Sequence, residues 1–147
     1  MIKKSTLLKY MSFWPPFLGA QIKIDNIAED FSRVEVSMKL NMFNKNYVNT
    51  HFGGSLYSMT DPFFMLMLIE RLGPGFIVWD KAASIHFKRP GKGRVHAIFE
   101  LSDEKLKSLK EELETKDKIY PLFNVDVLND DNEVICQVEK TLYIKKK

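Results

Sequence analysis

The chain has 147 residues, 45% of them hydrophobic and 28% charged, with a formal charge of +3. That length holds one domain with a real core rather than two. Much of the charge lies in Lys3-Lys4 and at 145–147, which leaves no basic stripe for nucleic acid. Cys136 is the only cysteine, so an intramolecular disulfide is excluded and a reducing compartment is expected.

The opening Met1-Ile-Lys-Lys has the charge of a secretory leader, but Lys9 and Pro15-Pro16 break the apolar run before it reaches a usable length. The longest uninterrupted apolar stretch, 63–69, is far too short to span a bilayer. A cytoplasmic protein with no membrane insertion is expected. Residues 6–14 suit a short helix with Leu7, Leu8 and Met11 inward, ended by Pro15-Pro16. Residues 1–16 thus form a helical lead-in to a single domain over 1–147. A strand is predicted over 19–27, with Ile22 and Ile24 opposite Gln21 and Lys23. Residues 33–40 alternate cleanly, Val34, Val36, Met38 and Leu40 against Arg33, Glu35, Ser37 and Lys39, and should pair with it as a hairpin.

The Asn-rich stretch 41–50 fits no period and reads as a loop. Gly53-Gly54 then opens a helix running to Leu72, stopped by Gly73-Pro74-Gly75. Leu56, Tyr57, Met59, Phe63, Phe64, Leu66, Met67 and Ile69 make it apolar nearly all round, so protein must cover it on most sides. Strands follow at 77–88 and 95–101, joined by the Pro90-Gly91-Lys92-Gly93 turn. Ser102-Asp103 caps a short helix with Leu106, Leu109 and Leu113 on one stripe. The last strands, 120–128 and 134–144, form a hairpin over Asn129-Asp130-Asp131-Asn132. This order is α+β: one long apolar helix wrapped by a curved antiparallel sheet of about six strands, a hotdog fold.

The segment 44–62 carries the chemistry. Free backbone N–H groups at Gly53-Gly54 can hold a carbonyl oxygen or an oxyanion, and glycine lets a substrate approach the backbone. Asp61 interrupts the apolar helix, where an unpaired carboxylate is costly unless it has partners or a task. Pro62 has no N–H, which leaves the Ser58 carbonyl without its helical partner and loosens the helix beside the acid. On these residues alone two readings stand: a reactive acid, or an acid solvated where proline bends the helix.

Asn46, Gly53-Gly54 seven positions later and Asp61 seven positions after Gly54 resemble the acyl-CoA thioesterases of the phenylacetic-acid-pathway type. The segment Phe87-Lys88-Arg89-Pro90-Gly91 is similar to a strand end of the same hotdog superfamily. The likeness covers residue 17 onward and looks closest to a thioesterase-like branch with His-Phe-Gly-Gly and Asp-Pro. It implies Asp61 as general base or nucleophile, a Gly53 or Gly54 amide polarising the thioester carbonyl, and Asn46 as an orienting group. The substrate would be an acyl-CoA or related acyl thioester, with coenzyme A entering only as part of it. Phe52 stands between His51 and the glycines, and Pro62 follows the acid; both depart from the pattern.

In a continuous helix Gly54 and Asp61 lie about 10.5 Å apart along the axis, too far to meet one carbonyl. Two antiparallel helices would bring Asp61 of one chain to the glycines of another, so a homodimer with a shared site is expected, with further pairing into tetramers open. Among other candidates, His51 orients substrate or serves the loop. Tyr57, Phe63 and Phe64 line an acyl tunnel or are simply core. Lys88 and Arg89 meet the phosphates of coenzyme A or are only solvated. His86 and His96 suit an outer or interface face, and Cys136 a buried hydrophobe. Three scattered histidines without clustered cysteine or aspartate predict no metal. A thioester hydrolase is the leading expectation, and a non-catalytic module that binds fatty-acyl groups is the alternative. A hydroxyacyl dehydratase needs its His and acid further apart than His51 and Asp61.

Overall fold

The computed structural model describes residues 4–147, except the side chain of Leu7. Residues 1–3 and the inward placement expected of Leu7 lie outside what it describes. Six strands run antiparallel in the order β1-β2-β4-β6-β7-β3: β1 Ile22–Ile27, β2 Arg33–Lys39, β3 Phe76–Phe87, β4 Arg94–Glu100, β6 Leu122–Asn129 and β7 Val134–Lys146. A seventh, the two-residue β5 Lys118–Ile119, pairs with β7. The alternation read in 33–40 holds for Val34, Val36 and Met38, which are buried and pair with Phe99, Ala97 and Val95 of β4, whereas Ser37 is buried too and Leu40 lies beyond the strand, half-buried.

The rings of Phe63 and Phe64 close the core. Phe63 lies 6.0 Å from Phe17 and 4.9 Å from Phe99, and Phe64 lies 5.2 Å from Phe99 and 4.8 Å from Phe123. Aromatic pairs at these distances add to their area burial, and here they tie the central helix to two strands and to the lead-in. The wrap of sheet around helix is the hotdog arrangement.

Two local expectations change. The central helix is two helices, α3 Gly53–Ser58 and α4 Phe63–Leu72, with a break between them. Proline cannot donate, so the Ser58 carbonyl accepts instead from the Asp61 amide at 3.3 Å, and the Thr60 amide donates to Tyr57 O at 2.9 Å. A straight axial rise therefore does not describe the path from Gly54 to Asp61. In the lead-in, α1 Lys4–Lys9 and a 3₁₀ turn Tyr10–Phe13 precede a further helix, α2 Pro15–Ala20. Pro15-Pro16 thus starts a helix as well as ending one: proline fits the first helical turn, and Trp14 before it is extended. This helix seats Phe17 in the core and delays β1 to Ile22.

The strand expected over 120–128 is β6 alone, with Tyr120 and Pro121 between it and β5, while the short helix forms as expected. Ser102 Oγ accepts from the Lys105 amide at 3.1 Å and caps α5 Asp103–Thr115, which buries Leu109 and Leu113. The two sheet edges differ. β1 is partly covered by the lead-in, whose Ser12 Oγ accepts from the Ile24 amide at 2.9 Å. β3 pairs only with β7, exposes most of its twelve residues and carries a bulge between Asp80 and Ala82.

Candidate functional site

The asparagines of the loop before α3 are its internal braces. Asn44, buried, donates to Ala20 O at 2.8 Å and Lys39 O at 2.9 Å and accepts from the Asn41 amide. Asn46 Oδ1 accepts from the amides of Val48 at 3.1 Å and Thr50 at 3.0 Å, while its Nδ2 donates to Thr50 Oγ1 at 2.8 Å. The Asn46 side chain is thus committed to the loop that delivers α3. His51 is buried, its amide donates to Gly91 O at 2.9 Å, and its Nε2 lies 3.0 Å from Gly93 O. That contact places the proton on Nε2 and leaves Nδ1 buried without a partner. Burial pushes the imidazole below its ordinary 6.5, opposed by the Gly93 carbonyl, so His51 pins the 90–93 turn in its neutral form.

These elements frame a cleft of about 670 Å³ between the start of α3 and the segment after β3, walled by His51, Gly53, Leu56 and Phe87, with Lys88, Arg89 and Lys92 on its basic side. Among the described residues no acceptor takes the amide of Gly53 or Gly54. A Cβ on Gly53 would stand 2.9 Å from the Phe87 ring, and one on Gly54 would stand 2.5 Å from the Phe52 ring. Glycine is what allows both rings to lie against the backbone.

Asp61 sits at the break between α3 and α4. Its Oδ1 accepts from Tyr57 OH at 3.0 Å and from Lys140 Nζ at 2.9 Å. The same ammonium reaches the Asp61 carbonyl and stands 3.0 Å from Asp80 Oδ2, at the β3 bulge. The Lys140 side chain is 0% exposed, that of Asp61 48%. Burial first, then the Asp61 charge, pushes the Tyr57 phenol up to about 12, so it remains a donor. Burial also raises Asp80 above the usual carboxylate value, against the lowering pull of Lys140.

Lys140 and Asp80 escape the sequence reading, although a signal exists. Cys136, Val138, Lys140, Leu142 and Ile144 alternate along β7, and all are buried. A lysine in that register must be paired inside.

Among the described residues, Asp61 and Gly53 line different pockets. Asp61 opens on a small pocket of about 140 Å³ walled by Trp14, Phe17, Tyr57 and Pro62, whereas Gly53 faces the larger cleft. Phe63 and Phe64 are packed in the core and line neither space, in line with the second of their two expected places. Their spacing along an apolar helix could not say which face meets the sheet. His86 is exposed on β3 and His96 half-buried on β4. Cys136 is fully buried, its thiol pushed up to about 12 by burial. Among the described residues no group of three metal-ligating side chains converges, and no helix is long and apolar enough to cross a membrane.

No curated protein matches the chain. Its structure is similar to a Pseudomonas aeruginosa protein of unknown function described as a probable thioesterase, at 16% identity and TM-score 0.85, over 100% of this chain and 99% of that one. A thioesterase from Haemophilus influenzae matches at 15% identity and TM-score 0.71, over 99% and 93% of the two chains. A protein of unknown function from Chlorobaculum tepidum matches at 19% identity and TM-score 0.76, over 97% and 94%. At such identities the likeness speaks for the hotdog fold. Residues 3–144 match the family described as Domain of unknown function (DUF4442), and the chain belongs to it.

Proposed function

We propose that the protein hydrolyses acyl thioesters, acyl-CoA above all, at a site shared between two copies of the chain. The observation that carries this is Asp61: a half-exposed carboxylate at a helix break, with Oδ1 held by Lys140 and Tyr57 and, among the described residues, no donor on Oδ2. A carboxylate fixed by one oxygen and open at the other is suited to take a proton from water. That water attacks the thioester carbonyl, the C–S bond breaks, and the thiolate leaves to be protonated. The free amides of Gly53 and Gly54 are donors for the developing oxyanion. The basic side of the cleft, Lys88, Arg89 and Lys92, suits the phosphates of coenzyme A. Several hotdog proteins of similar structure carry the thioesterase description, which agrees with this reading.

The second copy follows from two features. Asp61 and Gly53 face different cavities within one chain. The long β3 edge is unpaired on its outer side, with Ala82, Ala83 and Ser84 exposed and able to add another strand. A buried thiol with no partner cysteine is in keeping with a reducing, cytoplasmic setting.

Thiol release from acyl-CoAs of graded chain length, by wild type and Asp61→Asn side by side, tests the activity. Turnover should vanish in the variant; turnover that survives in it refutes the role of Asp61. Mixing Gly53→Val chains with Asp61→Asn chains should restore some activity, and no recovery from verified mixed dimers refutes the shared site. The ion pair with Lys140 also gives Asp61 a structural reason to exist, which keeps a non-catalytic acyl-binding module as the second reading. Tight acyl-CoA binding without turnover is its signature.

A further inference from the structure

Lys140 is the least expected side chain in the fold. It lies on the inner face of β7 between Val138 and Leu142, fully buried, where every neighbouring inward position of that strand is apolar. An ammonium has three N–H donors, and all three are used: Asp61 O, Asp61 Oδ1 at 2.9 Å and Asp80 Oδ2 at 3.0 Å. Two of the three go to Asp61, one to its main chain and one to its side chain. That pairing fixes the carboxylate relative to its own backbone, which a contact to the side chain alone would not do.

The same contacts set which oxygen faces outward. Oδ1 receives both Lys140 and the Tyr57 hydroxyl, so its accepting capacity is directed into the protein, and Oδ2 is left for solvent and substrate. The chain is free to hold this geometry because α3 ends at Ser58 and α4 begins at Phe63, which exposes the Asp61 carbonyl that Lys140 binds. On the far side, the β3 bulge brings Asp80 to the same ammonium. One cation therefore serves two carboxylates. Asp80 shares the lysine's charge and so limits how strongly Asp61 is held.

We propose that Lys140 is a positioning residue for Asp61, holding the reactive carboxylate with Oδ2 outward, and that Asp80 tempers this hold. The inference rests on the thioesterase reading of Asp61 and extends it to two residues that no sequence motif marks. A salt bridge present only for stability would need neither the contact to the Asp61 carbonyl nor the open second oxygen. A buried pair is in any case a weak source of stability compared with apolar packing.

The test compares thiol release from an acyl-CoA turned over by wild type with that from Asp61→Asn, Lys140→Met, Lys140→Arg and the double variant Lys140→Met/Asp80→Asn. The double variant keeps the net charge of the cluster and so guards against a misfolded single variant. Thermal melts and gel filtration confirm that each is folded. The titratable groups facing the ammonium are Asp61 and Tyr57 from the α3–α4 region and Asp80 from β3.

Misplacing a reacting group by about 1 Å costs roughly 100-fold. Both Lys140→Met proteins should therefore lose kcat on that order with KM changed by less than about threefold. Lys140→Arg, which keeps a cation beside Asp61, should retain clearly more of the wild-type kcat than Lys140→Met. A folded Lys140→Met/Asp80→Asn protein with wild-type kcat and KM overturns the inference while leaving the role of Asp61 intact. An active Asp61→Asn protein, or a wild type that turns over no acyl-CoA, overturns the thioesterase reading and this inference with it.

Discussion

Replacing Gly53 by alanine separates stability from chemistry at the start of α3. The added Cβ would lie 2.9 Å from Cζ of Phe87, the far end of a ring that is 56% exposed. Because the ring is half in solvent, it can swing aside at the cost of a strained rotamer, about 1 kcal/mol. Alanine in a helix gains about 0.5–1 kcal/mol over glycine by losing less backbone entropy on folding. The two effects nearly cancel, so the folded state should change by less than about 1 kcal/mol in urea denaturation. Activity should respond differently. The displaced ring enters the cleft and the methyl group covers the backbone where a thioester carbonyl would approach, so kcat/KM should fall roughly tenfold to a hundredfold. In a Phe87→Ala background the ring's cost is gone, so Gly53→Ala should stabilise by about 0.5–1 kcal/mol, and the activity loss due to the methyl group itself should persist. A stability loss of about 3 kcal/mol or more would mean that Phe87 is rigid and the glycine structural. Unchanged hydrolysis would refute the place of this backbone in the reaction.

Phe99, fully buried against Phe63 and Phe64, should cost about 3–5 kcal/mol as Phe99→Ala, with a fall in Tm near 10 °C by calorimetry. A fall under about 2 °C would show that the ring cluster does not hold α4. Ala83→Lys puts like charges along the β3 edge and should shift sedimentation to the monomer with loss of activity; a dimer that persists would place the interface elsewhere. His51 has its pKa lowered by burial, so its contribution to stability is complete above the ordinary 6.5 and is lost as pH falls through the depressed folded value. His51→Gln should flatten the urea midpoint between pH 8 and 5, and an unchanged slope would assign the pH dependence to other groups. The thiol of Cys136, buried and pushed up to about 12, should stay unreactive to an aromatic disulfide reagent until the protein unfolds.

The pattern of side chains along the sequence determined the strands and the covered helix, because alternation and apolar density depend only on neighbours along the chain. Val34, Val36 and Met38 turn inward as their spacing requires, and Ser102 caps its helix. Asp61 and Gly53-Gly54 were conspicuous for the same reason: each breaks a local rule, a charge on an apolar stripe and two flexible residues at a helix start. Pro62 predicted a loosened helix, yet whether it bends or divides depends on what can catch the freed carbonyls, and only the fold supplies the Lys140 ammonium there. The meaning of Lys140 was hidden because a lysine in a strand is ordinary until its register is known, and register is set by β6 and β3 on either side. Phe63 and Phe64 carried no mark of their destination, since a helix apolar all round does not say whether a ring packs on Phe99, as both do, or lines a cavity. The separation of Asp61 from Gly53, and the outward β3 edge, are likewise properties of how distant segments pack. Local rules fix what each segment becomes; the pairing of charges and the division of cavities are decided by contacts between residues far apart in sequence.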